Sequence, residues 1–221
     1  MSAIKKDKIS RRDFIRSALT AGALLTAGQG VAAARSPTKS AAAPKAKYAM
    51  VIDTTKCTGC GACVSACNLR NNLPQDVSYV RIYAKEEDEN QWFMPVQCQH
   101  CADAPCETVC PTRATYHTVD GIVLINEKLC VGCHYCEVAC PYQARRFDEE
   151  RGVADKCWLC MDYVLGGGET ACVHACILGA RIFGRLDDPD SEVSKLIASG
   201  KAKQLHPEFG TDPAVLHYII E

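Results

Sequence analysis

The chain has 221 residues, which is enough for one or two small domains. Cysteine accounts for 16 of them, a share close to that of proteins built around cysteine chemistry. The formal net charge is −1, but residues 1–34 contain six Lys and Arg and only two Asp and Glu. The remaining 19 basic and 24 acidic residues leave a net charge of −5, so the charge balance gives no reason to expect nucleic-acid binding.

The N-terminal segment has the three parts of an export signal. A basic stretch contains Arg11 and Arg12, a weakly apolar stretch covers residues 18–31, and an Ala-x-Ala cleavage site ends at Ala34. The arginine pair predicts that residues 1–34 are a twin-arginine signal peptide and that the protein is exported to the periplasm in the folded state. A retained membrane anchor is the alternative, but the apolar stretch is shorter than the roughly 20 residues that a span needs.

Residues 35–47 are rich in Ala, Pro, Ser and Lys, which predicts a linker before a folded domain at 48–221. Within this domain, apolar and alternating runs predict short strands, and two stretches predict helices. The predicted strands are 48–53, 79–84, 92–96, 115–117, 121–125 and 216–220, and the predicted helices are 62–67 and 191–199. Residues 86–90 are expected to form the acidic turn of an inserted hairpin, and the cysteine-free tail is expected to cover a cysteine site or a partner surface.

The 16 cysteines form four motifs of four. The third motif, from Cys130 to Pro141, has the spacing C-x2-C-x2-C-x3-C-P of bacterial [4Fe–4S] ferredoxins, in which the fourth cysteine binds a different cluster from the first three. The second motif has four residues between its second and third cysteines, and a glycine-containing loop splits the fourth motif. In chain order the motifs are Cys57, Cys60, Cys63 and Cys67; Cys98, Cys101, Cys106 and Cys110; Cys130, Cys133, Cys136 and Cys140; and Cys157, Cys160, Cys172 and Cys176.

Three kinds of chemistry compete for these cysteines. A disulfide framework has no need of triples spaced two residues apart, and zinc would leave the third cysteine of each triple without a role. Iron–sulfur ligation uses all 16 thiols, so we expect four [4Fe–4S] clusters. The expected fold is α+β, with two ferredoxin-like lobes, the hairpin insertion and the C-terminal tail. An alanine four residues after the last cysteine of three motifs (Ala114, Ala144 and Ala180) supports a repeated unit.

The sequence offers no substrate site of its own. Every expected cluster has four thiolates, so no iron is left open for a substrate, and there is no dinucleotide fingerprint or phosphate loop. Lys56, Lys128 and Lys156 precede their motifs and are expected at the surface, because lysine is seldom buried without a partner. The histidines inside the motifs are expected to donate hydrogen bonds or fill surface, and they are His100, His134 and His174. We therefore expect electron transfer and no catalysis by this chain alone.

The motif order, with a stretched second and a split fourth motif, resembles the iron–sulfur electron-transfer subunits of the molybdopterin (dimethyl-sulfoxide-reductase family) oxidoreductases. The resemblance covers residues 47–221, and tail segments 179–184, 188–192 and 207–213 are most similar to the B subunits of tetrathionate reductases. Ile177 departs from the proline that many relatives have after the last cysteine.

The resemblance implies that motifs one and four share two clusters and that motifs two and three share the other two. Lobe one then combines residues 57–67 and 157–176, and lobe two combines residues 98–110 and 130–140. The implied ligand sets are Cys57, Cys60 and Cys63 with Cys176; Cys67 with Cys157, Cys160 and Cys172; Cys98, Cys101 and Cys106 with Cys140; and Cys110 with Cys130, Cys133 and Cys136.

The resemblance also implies two partners, a molybdopterin-containing catalytic subunit and a quinone-interacting membrane subunit. In the reductase members of the family, electrons pass from quinol through the clusters to the active site. The chain would then be a periplasmic subunit without a membrane span, attached to the inner membrane through a partner. Two alternatives stay open: a subunit for formate-dependent nitrite reduction, and a free-standing periplasmic polyferredoxin, which co-purification would separate from a docked subunit.

Overall fold

The computed structural model describes residues 45–74, 77–87 and 90–220. The predicted signal peptide and most of the predicted linker lie outside these residues, so both stay predictions. Within the described ranges, no helix is both long enough and apolar enough to cross a membrane.

A three-stranded sheet lies at the centre of the fold. Its middle strand, β1 (Tyr48–Asp53), is buried along its whole length, as its continuous apolar sequence requires. One neighbour, β8 (Arg181–Arg185), pairs with it antiparallel, and the other, β9 (Leu216–Ile219), pairs with it parallel. The strand predicted at 48–53 is therefore confirmed with the same bounds.

The two faces of β1 pack against different parts of the chain, because successive side chains of a strand point to opposite sides. Met50 and Ile52 belong to the core that contains the buried cysteines. Ala49 and Val51 belong to a second core with residues of the C-terminal helix, Glu192–Ala198. One face of the sheet thus supports the cysteine motifs, and the tail covers the other face.

The remaining strands form three antiparallel pairs. They are β2 (Arg81–Glu87) with β3 (Asn90–Val96), β4 (Thr115–His117) with β5 (Val123–Ile125), and β6 (Arg146–Asp148) with β7 (Val153–Asp155). The expected hairpin insertion is β2–β3, but its ladder extends to the pair Glu87 and Asn90, which the sequence placed in the turn. Tyr79, predicted to start a strand, is instead buried before β2, where its hydroxyl bonds to the Asp155 carboxylate.

The helices are short, and all except the last begin within the cysteine motifs. They are α1 (Ala62–Asn71), α2 (Pro105–Thr108), α3 (Tyr135–Val138), α4 (Met161–Val164), α5 (Ala171–His174) and α6 (Glu192–Ala198), with 3-10 turns at Glu127–Leu129 and Pro207–Phe209. The helix predicted at 191–199 is confirmed within one residue at each end, and Ser191 caps it by accepting a hydrogen bond from the Ser194 N–H at 3.2 Å. The mixed helix and strand content is that of an α+β fold.

The tail also reaches the second cysteine motif. Between α6 and β9, Pro213 pairs with Cys101 in an isolated β-bridge, and the Ala102 N–H donates to the Asp212 carbonyl at 2.7 Å. The Tyr142 hydroxyl, next to the end of the third motif, donates to the Leu205 carbonyl at 3.2 Å. The tail is therefore part of the wall around a cysteine site, as the sequence predicted.

The burial of His217 leads us to expect that the stability of the protein depends on pH. This histidine lies in β9, and burial holds its pKa below the usual value of 6.5. As the pH falls, His217 is protonated in the unfolded chain before it is protonated in the folded protein. The contribution of the neutral His217 to the free energy of unfolding is therefore fully present above pH 6.5 and is lost as the pH drops below 6.5. We expect His217→Gln to reduce this loss by about 1 kcal/mol, or about 2–4 °C in the thermal midpoint, between about pH 6.5 and 5.5. Anaerobic thermal unfolding of both proteins at several pH values measures the difference, and parallel pH profiles would contradict the prediction.

Candidate iron–sulfur cluster sites

All four motifs share a backbone feature just before their second cysteine. The residue at that position has a positive φ in each motif: Gly59 (69°), His100 (48°), Gly132 (65°) and Leu159 (57°). Glycine adopts this conformation without steric cost, whereas other residues rarely do. Glycine occupies this position in two of the motifs, but the residue types at His100 and Leu159 give no sign of a positive φ. The repeated conformation shows that all four motifs turn in the same way.

The third cysteine of each motif occupies the second position of a short helix. These residues are Cys63, Cys106, Cys136 and Cys172, in α1, α2, α3 and α5. All four are buried. The first turn of a helix carries backbone N–H groups without intrahelical partners, which is a suitable environment for a thiolate. The stretched second motif and the split fourth motif therefore reach the same local geometry as the first and third.

Group 1 combines the first three cysteines of motif one with the last cysteine of motif four. Cys57, Cys60, Cys63 and Cys176 line one cavity, together with Ala180 at the start of the returning strand. Cys60 is exposed and Cys63 is buried, so the cavity lies at the surface. These four are the residues that the family resemblance assigns to one cluster.

Group 2 lies deeper and combines Cys67 with Cys157, Cys160 and Cys172 around a second cavity. Burial raises the pKa of Cys67 to about 12, and burial raises that of Cys157 well above its usual range. The Asn71 side-chain amide donates to the Cys67 sulfur at 3.5 Å, and the Leu159 N–H is 3.4 Å from the Cys157 sulfur. Because a metal ligand must be a thiolate, loading such a site releases protons.

Group 3 combines Cys98, Cys101 and Cys106 with Cys140. Burial raises the pKa of the Cys101 thiol, and the other three cysteines, all close to it, raise it further. The Ala144 N–H donates to the Cys140 sulfur at 3.4 Å. The first three cysteines are buried, so group 3, like group 2, lies mainly inside the protein.

Group 4 combines Cys110 with Cys130, Cys133 and Cys136 around a further cavity. Burial tends to raise the pKa of Cys110, but hydrogen bonds from the Thr115 backbone and from Thr112 outweigh burial and lower it. Cys133 is exposed, as Cys60 is in group 1. The structure therefore brings together all four predicted sets of cysteines, with the outer groups 1 and 4 reaching the surface.

No disulfide joins any of the 16 cysteines, which all lie in the part of the chain that the structure describes. A zinc site needs four ligands at about 2.0–2.3 Å from one point. Across residues 45–74, 77–87 and 90–220, no three His, Cys, Asp or Glu side chains are placed to hold a single metal ion.

The repeated alanines lie against the cysteine groups. Ala114 lines the cavity of group 4 and Ala180 that of group 1, and both are buried. Each of the three alanines follows a residue with positive φ, namely Arg113, Gln143 and Gly179. A small side chain after this turn lets the departing chain pass close to the thiols, which agrees with the predicted role of the alanines.

Two expectations from the sequence are wrong. Lys156 was expected at the surface, but it is fully buried, and its ammonium group donates to the carbonyls of Val123 and, at 2.8 Å, of Cys157. His100 was expected to donate a hydrogen bond or to fill surface, and the surface position is wrong because the side chain is fully buried, where burial lowers its pKa. Both side chains lie where the second and fourth motifs meet, a long-range contact that local sequence does not reveal. Lys56 and Lys128 are at the surface as expected.

Two buried arginines that the sequence did not mark provide a test of whether the site fits iron–sulfur clusters. Both terminal nitrogens of Arg145 and one of Arg181 are buried without a hydrogen-bond partner in the described structure. An unpaired buried donor costs about 1–3 kcal/mol, and more for a charged group. An anionic cluster with sulfur acceptors supplies the missing partners, so these residues fit the expected cofactor.

Gly132 gives a test of how tightly one motif is packed. A Cβ at this position would lie 2.8 Å from the Gly152 carbonyl oxygen, and its φ of +65° adds strain. We expect Gly132→Ala to cost about 2–3 kcal/mol and to lower the iron content of the purified protein by up to one cluster. Thermal unfolding and iron analysis measure both effects.

Gly61→Ala is the matched control. Gly61 has a similar φ of +76°, but a Cβ there would meet no atom within 4 Å. The equivalent residue of motif three is His134, which keeps a φ of 60° with a full side chain. We therefore expect this variant to cost only about 1 kcal/mol and to keep all its iron. Equal losses in the two variants would show that the contact with Gly152 is unimportant.

Comparison with known proteins gives consistent matches. A family model described as a 4Fe-4S dicluster domain matches residues 90–186, and one described as a 4Fe-4S binding domain matches residues 48–69. The B subunit of tetrathionate reductase from Salmonella typhimurium is 38% identical over 94% of this chain and 87% of its own length. Protein NrfC of Escherichia coli is 40% identical over 92% of both chains. The thiosulfate reductase electron transfer subunit PhsB of Salmonella typhi is 42% identical over 68% of this chain and 81% of its own length.

With 16 cysteines and matches to both iron–sulfur models, the chain carries four [4Fe–4S] clusters. Its role is electron transfer within a reductase complex, not catalysis. The chain belongs to the family of iron–sulfur electron-transfer subunits that includes the B subunits of tetrathionate, thiosulfate, polysulfide and dimethyl sulfoxide reductases.

Proposed function

We propose that this chain relays electrons between a quinone-interacting membrane subunit and a molybdopterin-containing catalytic subunit of an anaerobic respiratory reductase. The clusters supply one-electron carriers whose potentials depend on hydrogen bonds, burial and nearby charge. The observation that carries the proposal is that each group has a cysteine close to a cysteine of the next group, and that groups 1 and 4 each have an exposed cysteine.

The proposed ligands of each cluster are the four cysteines of one group, and the groups form two ferredoxin-like lobes. Groups 1 and 2 make lobe one, and groups 3 and 4 make lobe two. Support comes from the proximity of cysteines in different groups. Burial raises the pKa of Cys63 in group 1 and of Cys136 in group 4, and the nearby Cys172 of group 2 and Cys106 of group 3, respectively, raise it further. Between the lobes, the Gln97 side chain, next to Cys98, lies 3.9 Å from the Cys157 sulfur. The order of transfer is then 1, 2, 3, 4 or the reverse.

The surface around the outer groups supports docking at both ends. Beside group 1, the side chain of Ile177 is 90% exposed. Beside group 4, Val131 lines the cavity and is exposed, and Val138 at the end of α3 is 86% exposed. Apolar side chains clustered at two exposed redox sites indicate partner contacts. A free-standing polyferredoxin has no need of them, so we favour a docked subunit.

The proposed location is the periplasm, with export in the folded state by the twin-arginine route and attachment to the inner membrane through the membrane subunit. This proposal rests on the sequence of residues 1–34. Assembly in the cytoplasm fits it, because the reducing compartment keeps 16 thiols free until the clusters are in place.

The proposed terminal acceptor is tetrathionate or a related sulfur compound. Support comes from the relatives named for tetrathionate, thiosulfate and polysulfide reductases. The alternative implied by the sequence resemblance, formate-dependent nitrite reduction, predicts a different catalytic partner. The identity of the co-purified catalytic subunit separates the two.

Affinity purification of the tagged chain from anaerobically respiring cells tests the proposal. We expect a molybdopterin protein and a membrane protein to co-purify, and we expect Val138→Glu or Ile177→Glu to release one of them. Val119→Glu is the control, because Val119 is equally exposed but lies in the turn between β4 and β5, outside all four groups. A chain that purifies alone with all its iron would support the free-standing polyferredoxin.

A further inference from the structure

A buried arginine lies between the two cysteine groups of lobe one. Arg181, at the start of β8, is 4% exposed and lines the cavity of group 1. Its Nη1 donates to the Cys172 sulfur of group 2 at 3.6 Å and to the Gln97 side-chain oxygen at 2.9 Å. In the group 1 cavity, the Arg181 guanidinium also lies close enough to Cys63 to interact with it electrostatically. One cation therefore faces thiols of both groups.

A second buried arginine occupies the corresponding sequence position in lobe two. Arg145 is 2% exposed and directly follows Ala144, as Arg181 follows Ala180. Its guanidinium lies close enough to Cys106 and Cys98 of group 3 and to Cys136 of group 4 to interact electrostatically with all three. The N–H of the preceding residue, Ala144, donates to the Cys140 sulfur of group 3 at 3.4 Å, and both terminal nitrogens of Arg145 are buried without a hydrogen-bond partner among the described residues.

Neither arginine is neutralised by a carboxylate. Among the residues that the structure describes, no ion pair to Asp or Glu includes Arg145 or Arg181. A guanidinium stays protonated in proteins, so the charge is retained in the interior. The negative groups close to each guanidinium are cysteine sulfurs. Both terminal nitrogens of Arg145 and one of Arg181 have no hydrogen-bond partner among the described residues, so their N–H groups can donate to further sulfur acceptors.

We propose that Arg181 and Arg145 each serve as a shared positive charge for the two clusters of one lobe, raising the reduction potentials of that pair and not of the other. This inference rests on the proposed ligation of groups 1 to 4. Four thiolates leave an oxidised cluster with a net negative charge, and reduction adds one more. A cation buried beside the cluster stabilises the reduced form, and the effect is strong where water does not screen it.

The choice of arginine follows from this position. The planar guanidinium has five N–H donors in a rigid fork, so one side chain can address two acceptors on different sides. Lysine keeps the charge, but all its N–H donors are on a single nitrogen. Arg→Lys therefore tests the effect of the charge without the planar arrangement of donors, and Arg→Met removes the charge while keeping an unbranched side chain.

Redox titration followed by EPR spectroscopy tests the proposal in the anaerobically purified full chain. We expect Arg181→Met to lower the reduced-to-oxidised ratio of two clusters by about tenfold at a fixed potential, which equals a decrease of about 59 mV in their reduction potentials. The ratios of the other two clusters should stay within about twofold of wild type. Arg145→Met should shift the complementary pair. Arg181→Lys should keep the ratios within about threefold of wild type. Arg185→Met is the control, because Arg185 lies on the same strand but is exposed and paired with Asp187.

Iron analysis separates failure of this inference from failure of the proposed ligation. If wild type lacks four clusters, or if cysteine variants show other ligand sets, the ligation is wrong. If Arg181→Met keeps all its iron and its potentials, or if all four potentials move together, the shared-charge proposal is wrong. If Arg181→Met loses clusters, the lysine variant decides the question. If Arg181→Lys then keeps its iron and its potentials, the shared-charge proposal is supported. If Arg181→Lys also loses clusters, the shared-charge proposal is wrong.

Discussion

Replacing Cys136 with serine is expected to remove or convert one cluster and to leave the other three intact. Cys136 lies in group 4 with Cys110, Cys130 and Cys133, so its loss leaves one iron of that cluster without its thiolate. An intact chain should hold about sixteen irons, and this variant should hold about twelve to fifteen. Iron analysis and EPR spectroscopy measure the change, and an unchanged iron content would contradict the role of Cys136.

Cys140→Ser tests whether the ligand sets cross between motifs. Cys140 is four residues from Cys136 in the same motif but belongs to group 3. If the ligand sets cross between motifs, Cys136→Ser combined with Cys140→Ser should damage two clusters. Cys136→Ser combined with Cys110→Ser should damage only one, because both thiols belong to group 4. The reverse pattern, with one cluster lost in the first double variant and two in the second, would refute the proposed ligand sets.

Changing Arg11 and Arg12 together to lysine is expected to stop export almost completely. The twin-arginine route recognises the arginine pair itself, so the conservative change keeps the charge but removes the signal. Cell fractionation should then find uncleaved precursor in the cytoplasm, with the clusters already assembled. At least about tenfold less protein should reach the periplasm than in wild type.

Arg16→Lys is the matched control for export, because it makes the same substitution in the same basic segment outside the pair. It should leave export unchanged. Normal periplasmic accumulation of the double variant would refute the twin-arginine proposal. Equal loss of export in the control would mean that the segment acts through another feature of its sequence.

The sequence predicted the four cysteine motifs because their spacing is local information. The family resemblance, and not the spacing, implied the sets of cysteines that lie near one another as groups 1 to 4. Strand β1 was predicted with its observed bounds, since a continuous apolar run of six residues has few other solutions. Ser191 likewise marked the start of α6.

The features that the sequence did not predict depend on contacts between distant residues. Lys156 and His100 resemble surface residues in a linear reading, yet both are buried where the second and fourth motifs meet. The sequence predicted a role for the repeated alanines but none for Arg145 and Arg181, which follow two of them and are buried beside cysteine groups because the chain returns to those groups there. Polar residues packed inside a protein are exceptions to composition rules, so local patterns do not identify them.

Quantification of metals and acid-labile sulfide in the anaerobically purified protein tests most directly whether the chain carries four clusters. We expect about sixteen irons and sixteen sulfides for each chain, a brown colour and no stoichiometric zinc. A colourless protein, or one that holds zinc in place of iron, would contradict the assignment of the cysteines to iron–sulfur clusters.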